Sequence, residues 1–297
     1  MREKKTFIRD YQVPGFLDET ILCDLYNVDG YEKGSCSDRP AFVLIHGGGF
    51  VGGNKDQFLG MASWLALTLN ALCVTVGYRL AEAAPCPAPI VDCLGVYRWI
   101  WEWQKELKVD PALVFVVGGS PGANIGAMSM LADRRMLKSF SLDPKLVFQP
   151  VNGIFLNGIY DLTDFCERNP GERERVYRFL DRSAWEKELW EEYSPRYHGK
   201  EGRNILMLHG SKDRIVPLQQ CVEMKESMEA AGGRAWIYPF EEKGHGWFNE
   251  AENLYGVLKK IEQFVRFRKM EVRKYGNKKS WGTVSPCHRK SLWPWGV

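Results

Sequence analysis

The side chains with chemistry to offer in this 297-residue chain stand at the ends of apolar runs. Val114-Phe115-Val116-Val117 stops abruptly in Gly118-Gly119-Ser120-Pro121-Gly122, and small, helix-compatible residues follow. Such a passage reads as a buried strand turning sharply into a helix with a serine at the turn, the glycines making room for a strained backbone and close neighbours. A serine so placed is a nucleophile if a base reaches it, and otherwise an ordinary member of a glycine-rich turn. Upstream, Ala41-Phe42-Val43-Leu44-Ile45 ends in His46-Gly47-Gly48-Gly49-Phe50. Consecutive glycines let backbone amides point into a cavity, as a tetrahedral oxyanion requires; the plainer reading is a flexible loop with His46 packed beneath it. Downstream, Asn204-Ile205-Leu206-Met207-Leu208-His209-Gly210 ends in a loop holding Asp213, and Arg234 to Phe240 leads into Lys243-Gly244-His245-Gly246-Trp247-Phe248. The glycines beside His245 free its loop to reach back over a sheet.

Holding these loops at one end of a sheet takes alternating strands and helices. Short apolar runs at 41–45, 71–76, 114–117, 204–210 and 234–240 read as strands covered on both faces, 151–162 as another central strand and its exit, and Ile21–Tyr26 as an edge strand. Apolar residues at helical spacing predict helices over 58–69, from Ile90 to near Lys108, 124–131, 218–231 and 251–270. Trp99 and Trp103, four apart, are expected to share a core-facing side. Residues 163–202 interleave many charges with Phe179, Leu180, Trp185, Leu189, Trp190 and Tyr193, which predicts an amphipathic helical insertion, either a partial cap over the strand ends or an ordinary solvated connection. Past Met270 periodicity is lost: Arg273, Lys274, Lys278, Lys279, Arg289 and Lys290 stand among Trp281, Trp293 and Trp295. The division expected is a single domain over 1–270, with the insertion at about 163–202, and a basic aromatic tail over 271–297.

Bulk properties exclude several classes. A net charge of +3 spread along a chain that is 45% hydrophobic gives no case for nucleic acid as a partner. Met1 to Phe7 is charged and no apolar stretch follows, and no run reaches membrane-spanning length, so a cytoplasmic protein without membrane insertion is expected. The eight cysteines form no C-x-x-C pair and have no histidine at ligand spacing, which predicts free thiols and no metal site. Cys86 and Cys93, the nearest pair, read as small apolar filler at the entry to a helix.

H-G-G-G-F, G-G-S-P-G, G-S-K-D-R-I-V-P and G-H-G-W-F, in that order and each after an apolar run, resemble the α/β-hydrolase serine esterases, most closely the hormone-sensitive-lipase-like and acetyl or feruloyl esterase-like branch. The resemblance covers roughly residues 40–265 and extends to Tyr78-Arg79-Leu80. It implies an α/β fold with a mostly parallel sheet and helices on both faces. It implies Ser120 as nucleophile, His245 as base, Asp213 as the acid that orients it, and the amides of Gly48 and Gly49 as oxyanion donors. A third donor normally comes from the residue after the serine; here that residue is Pro121, which has no N–H. Phe50, Trp247 and Phe248 become candidate walls of the substrate pocket. Among rivals, Asp161 is a minor alternative acid and Asp92 a structural residue beside the proline-rich turn, while His46, His198, His209 and His288 lose on position. The function implied is a carboxylester hydrolase acting on small or aryl acyl esters without metal or organic cofactor. Two alternatives stand beside it: a ligand-binding relative with little or no turnover, because of Pro121, and a serine peptidase akin to prolyl oligopeptidases, which the lack of a propeller-like region upstream disfavours.

Overall fold

In a computed structural model, residues 7–30 and 39–275 are described. Their sheet has eight strands: β1 (Phe7–Pro14), β2 (Thr20–Tyr26), β3 (Arg39–Ile45), β4 (Leu72–Gly77), β5 (Val109–Gly119), β6 (Asn152–Leu156), β7 (Asn204–Gly210) and β8 (Arg234–Phe240). The order is β1-β2-β4-β3-β5-β6-β7-β8. β1, β2 and β4 pair antiparallel, and every pairing from β4 through β8 is parallel. Parallel strands need crossovers, and helices supply them on both faces: α1 (Leu59–Leu69), α2 (Ala88–Glu102), α3 (Pro121–Leu131), α4 (Arg134–Ser139), α5 (Leu162–Arg168), α6 (Arg173–Leu180), α7 (Lys187–Glu192), α8 (Gln219–Ala230) and α9 (Ala251–Tyr275).

The continuous apolar runs divide by alternation between two cores. On β3 and β5, Val43, Ile45, Val114 and Val116 face α2, α3 and α8, while Phe42, Leu44, Phe115 and Val117 face α1 and α9. Both faces are therefore dry at the centre of the sheet, and the ends of β3, β5, β6, β7 and β8 form a rigid rim from which loops project.

Three expectations change. The sheet edge is β1, not the Ile21–Tyr26 strand, which pairs on both sides. α2 stops at Glu102 rather than near Lys108, so Trp103 lies past the helix and is half-exposed while Trp99 is buried. α9 continues to Tyr275, five residues beyond the expected end at Met270, and the rest of the 271–297 tail lies outside the described residues. The segment 163–202 holds α5, α6 and α7 with short 3₁₀ turns, and α6 buries Val176, Phe179 and Leu180 against the body. Cys23, Cys73, Cys86, Cys93, Cys166 and Cys221 are free thiols; Cys36 and Cys287 are outside the described residues. No described helix is long and apolar enough to cross a membrane.

Candidate active site

The strand-to-helix turn is built from steric necessity. Ser120, between β5 and α3, has φ 53° and ψ −123°, a conformation that L-residues hold only when the surroundings enforce it. The enforcement comes from the glycines. A Cβ at Gly118 would lie 2.3 Å from the Gly122 carbonyl oxygen, and one at Gly122 would lie 2.2 Å from that of Ile45 and 2.4 Å from that of His46. All three obstacles are backbone. We therefore expect Gly122→Ala to destabilise the protein by roughly 3 kcal/mol or more, or to prevent folding; urea denaturation checks this, and a change under 1 kcal/mol would show that the turn can relax. The Ser120 amide is tied across to the Leu156 carbonyl at 2.9 Å.

Ser120 Oγ lies 2.8 Å from His245 Nε2, and His245 Nδ1 lies 2.7 Å from Asp213 Oδ2. With Nδ1–H donating to the carboxylate, Nε2 is left to accept the serine proton. The remaining Asp213 oxygen, Oδ1, accepts the amides of Ile215 and Val216 at 2.9 and 3.0 Å. Burial pushes the Asp213 carboxyl up, but the His245 hydrogen bond and charge together with the Val216 amide outweigh it, so the group titrates below the usual carboxylate range.

Asn157, in the exit of β6 at φ 45°, has no motif to mark it, yet its side chain joins the acid loop to the histidine loop. Its Nδ2 donates to Asp213 Oδ2 at 2.6 Å and to the Gly244 carbonyl at 3.1 Å; its Oδ1 accepts from the Gly210 amide at 3.1 Å and from Trp247 Nε1 at 2.9 Å. A polar side chain at the end of an apolar strand was the signal available. His209 stands behind the acid: its Nε2 donates to the Val216 carbonyl at 2.8 Å and lies 3.5 Å from Asp213 Oδ2, while Nδ1 accepts from the Cys221 thiol at 3.2 Å. Burial lowers its pKa, so it stands as a neutral support.

The glycine loop after β3 curls at Gly48 (φ 130°), Gly49 (φ 64°) and Phe50 (φ 68°). The Gly48 carbonyl accepts the Gly52 amide at 3.0 Å, and the Gly47 amide donates to Gln57 Oε1 at 2.6 Å. The amides of Gly48 and Gly49 have no partner among the described residues. Gly47 packs against the turn, its Cβ position 3.5 Å from Ser120 Cβ. His46 sits beneath, stacked on Tyr78 at 4.2 Å, with the Tyr78 hydroxyl donating to the His46 carbonyl. Pro121 is the first residue of α3, where the missing N–H costs the helix nothing.

The rings expected to wall a pocket are instead packed behind the loops. Phe50 is buried and stacks on Phe179 of α6 at 4.2 Å. Trp247 lies on Phe240 at 4.1 Å, its N–H held by Asn157, and Phe248 fills the space beside Gly119. Each ring is more valuable sealed against apolar neighbours than exposed in a cleft, since loops this short have little else to bury. A cleft lies within the insertion, between Cys166, Arg173, Tyr177, Trp185 and Trp190. The rival acid Asp161 is engaged elsewhere: it caps α5 through the Thr163 and Asp164 amides and pairs with Arg196 at 2.9 Å. Asp92, also buried, holds the Arg79 amide and guanidinium. His198 bonds the Glu192 carbonyl, and His288 lies outside the described residues.

Known proteins share this framework. Esterase 2 of Thermogutta terrifontis, in a structure phosphoramylated by tabun, superposes with a TM-score of 0.71 at 23% identity, covering 89% of this chain and 96% of that one. Among curated sequences, esterase LipI of Mycobacterium tuberculosis is 34% identical over 122 residues, 40% of this chain and 37% of its own length. Carboxylesterase NlhH of the same species is 42% identical over 94 residues, 31% of this chain and 30% of its own. Human arylacetamide deacetylase-like 3 is 33% identical over 127 residues, 42% of this chain and 30% of its own. The matched part of the chain thus spans about a third of the length of these curated relatives. The family model BD-FAE matches residues 24–228, more than half of the chain and the whole stretch from β2 to α8 that carries the glycine loop, Ser120 and Asp213, and the chain belongs to that family, on an α/β-hydrolase fold.

Proposed function

We propose that this chain is a serine carboxylester hydrolase that works through an acyl-enzyme on Ser120. The observation that carries the reading is the unbroken hydrogen-bond chain Asp213–His245–Ser120, at 2.7 and 2.8 Å, on three strand exits beside a loop of free glycine amides. Ser120 Oγ attacks the ester carbonyl while His245 Nε2 takes its proton, and the carbonyl oxygen, now an oxyanion, is held by the Gly48 and Gly49 amides. His245 returns the proton to the departing alkoxide. Water, deprotonated by the same nitrogen, then releases the acid from Ser120. Asp213 fixes the imidazole tautomer and offsets the charge it gains. Small or aryl acyl groups suit a site whose neighbouring rings are packed away rather than lining a long channel. The relatives named esterase and carboxylesterase point the same way. Non-hydrolytic ligand binding would leave this hydrogen-bond chain without a task.

Labelling tests the reading directly. A fluorophosphonate probe should add one phosphonyl group to the peptide containing Ser120, detected by mass spectrometry, and block release of 4-nitrophenol from 4-nitrophenyl acetate. Ser120→Ala should neither label nor hydrolyse above background. A wild-type protein that stays unlabelled and gives only the uncatalysed rate would overturn it.

A further inference from the structure

Helix α6 of the insertion meets the glycine loop, and what it brings there is a cation. Phe179 of α6 stacks on Phe50, and its carbonyl accepts the Cys86 amide at 2.7 Å; Phe50 is itself held through its carbonyl by the Ala81 amide at 3.2 Å. The register of α6 over the loop is therefore fixed by packing and by two backbone bonds. One turn earlier on the same face of α6 stands Arg175. Its side chain lies over Gly49, where a Cβ would come within 3.1 Å of both Cδ and Nη1. Nη1 donates to both oxygens of Glu172, at 3.0 and 2.9 Å. The other edge of the guanidinium, Nε and Nη2, has no partner among the described residues, and the side chain is 50% exposed.

That open edge is the one with which an arginine takes a carboxylate side-on through two parallel N–H···O bonds. Resting on the hydrolase reading above, the geometry points to Arg175 as the residue that selects substrates by charge, and to short acyl groups ending in a carboxylate, half-esters of dicarboxylic acids, as the preferred class. Arg175 lies over Gly49, whose amide would hold the ester's carbonyl oxygen, so an acyl chain running past Gly49 would bring a carboxylate a few bonds away to the guanidinium. Glu172 does not preclude this. A half-exposed ion pair holds its partners weakly, and it occupies only Nη1.

The test compares monoethyl glutarate with ethyl pentanoate, esters of equal acyl chain length and different charge, with ethanol release followed by NMR. Wild type should favour the glutarate half-ester in kcat/KM. Arg175→Ala should lower the ratio of the two kcat/KM values about tenfold, mostly through KM for the anionic ester, and Arg175→Glu should lower it further. Glu172→Gln, which removes the competing carboxylate, should raise the ratio about threefold, and added NaCl should lower it in wild type more than in Arg175→Ala. If wild type hydrolyses both esters with Ser120 labelled normally, but the ratio is unmoved by Arg175→Ala and by Glu172→Gln, charge selection by Arg175 is wrong and the hydrolase reading stands. If the fluorophosphonate leaves Ser120 unlabelled and neither ester turns over, both readings fall.

Discussion

Pro121→Ala should raise kcat on a short neutral ester by about 10- to 100-fold while leaving KM within about twofold, because removing one oxyanion donor from a comparable site costs that much or more. The wild-type chain has the Gly48 and Gly49 amides to offer but no N–H after the serine. Alanine at the first position of α3 restores one without asking the backbone to change, since proline and alanine share the helical φ that begins the helix. The new amide faces the oxyanion only once the carbonyl has become tetrahedral, so its effect belongs to the transition state and appears in kcat rather than in ground-state binding. Folding stability should fall slightly, by about 1 kcal/mol or less, as the unfolded chain regains freedom. Steady-state kinetics of the two proteins, with a thermal melt of each, decide the matter. An unchanged kcat would mean that two amides already serve the oxyanion in full, and the absence of the third would then carry no catalytic consequence.

Much of this site was legible because its parts are local. The serine turn, the glycine loop and the acid and histidine loops each follow a strand that is buried on both faces, and such strands announce themselves as unbroken apolar runs. Gly118 and Gly122 were readable for the same reason: their role follows from a turn that any strand-to-helix junction of this kind must make. What could not be read depends on contacts between distant segments. β1 hides because only Val13 is fully buried and Asp10 breaks its register with φ 51°, so no alternation survives. α2 ends early at Glu102, and with it the inward face that Trp103 would have shared with Trp99. Phe50 and Trp247 looked like pocket walls from their neighbours in the chain, yet Phe179, far away in sequence, and Phe240, at the end of the preceding strand, claim their faces. Arg175 is one charge among many in the insertion until α6 is laid over Gly49.

Asn157 is the case where distance in sequence hides the most, and it carries the second large expectation: Asn157→Leu should lower kcat about 100-fold, with KM little changed, since a small misplacement of reacting groups is enough for such a loss. Leucine keeps the volume and removes every polar contact. Asp213 Oδ2 then loses a 2.6 Å donor from the oxygen that orients His245, and the Gly244 carbonyl, one residue before the histidine, loses its anchor. The Gly210 amide and the Trp247 indole N–H are left buried without their acceptor, each at a cost of about 1–3 kcal/mol, so Tm should drop as well. Stability and positioning separate in a second variant. Trp247→Phe removes one of the bonds to Asn157 and leaves those to Asp213 and Gly244 in place, so it should lower Tm with a much smaller change in kcat. Fluorophosphonate labelling of Ser120 should slow in parallel with kcat in Asn157→Leu, because both steps need His245 in place. If Asn157→Leu, still folded at the assay temperature, turns over and labels like wild type, Asp213 and His245 hold their alignment without Asn157, and its contacts serve the fold alone.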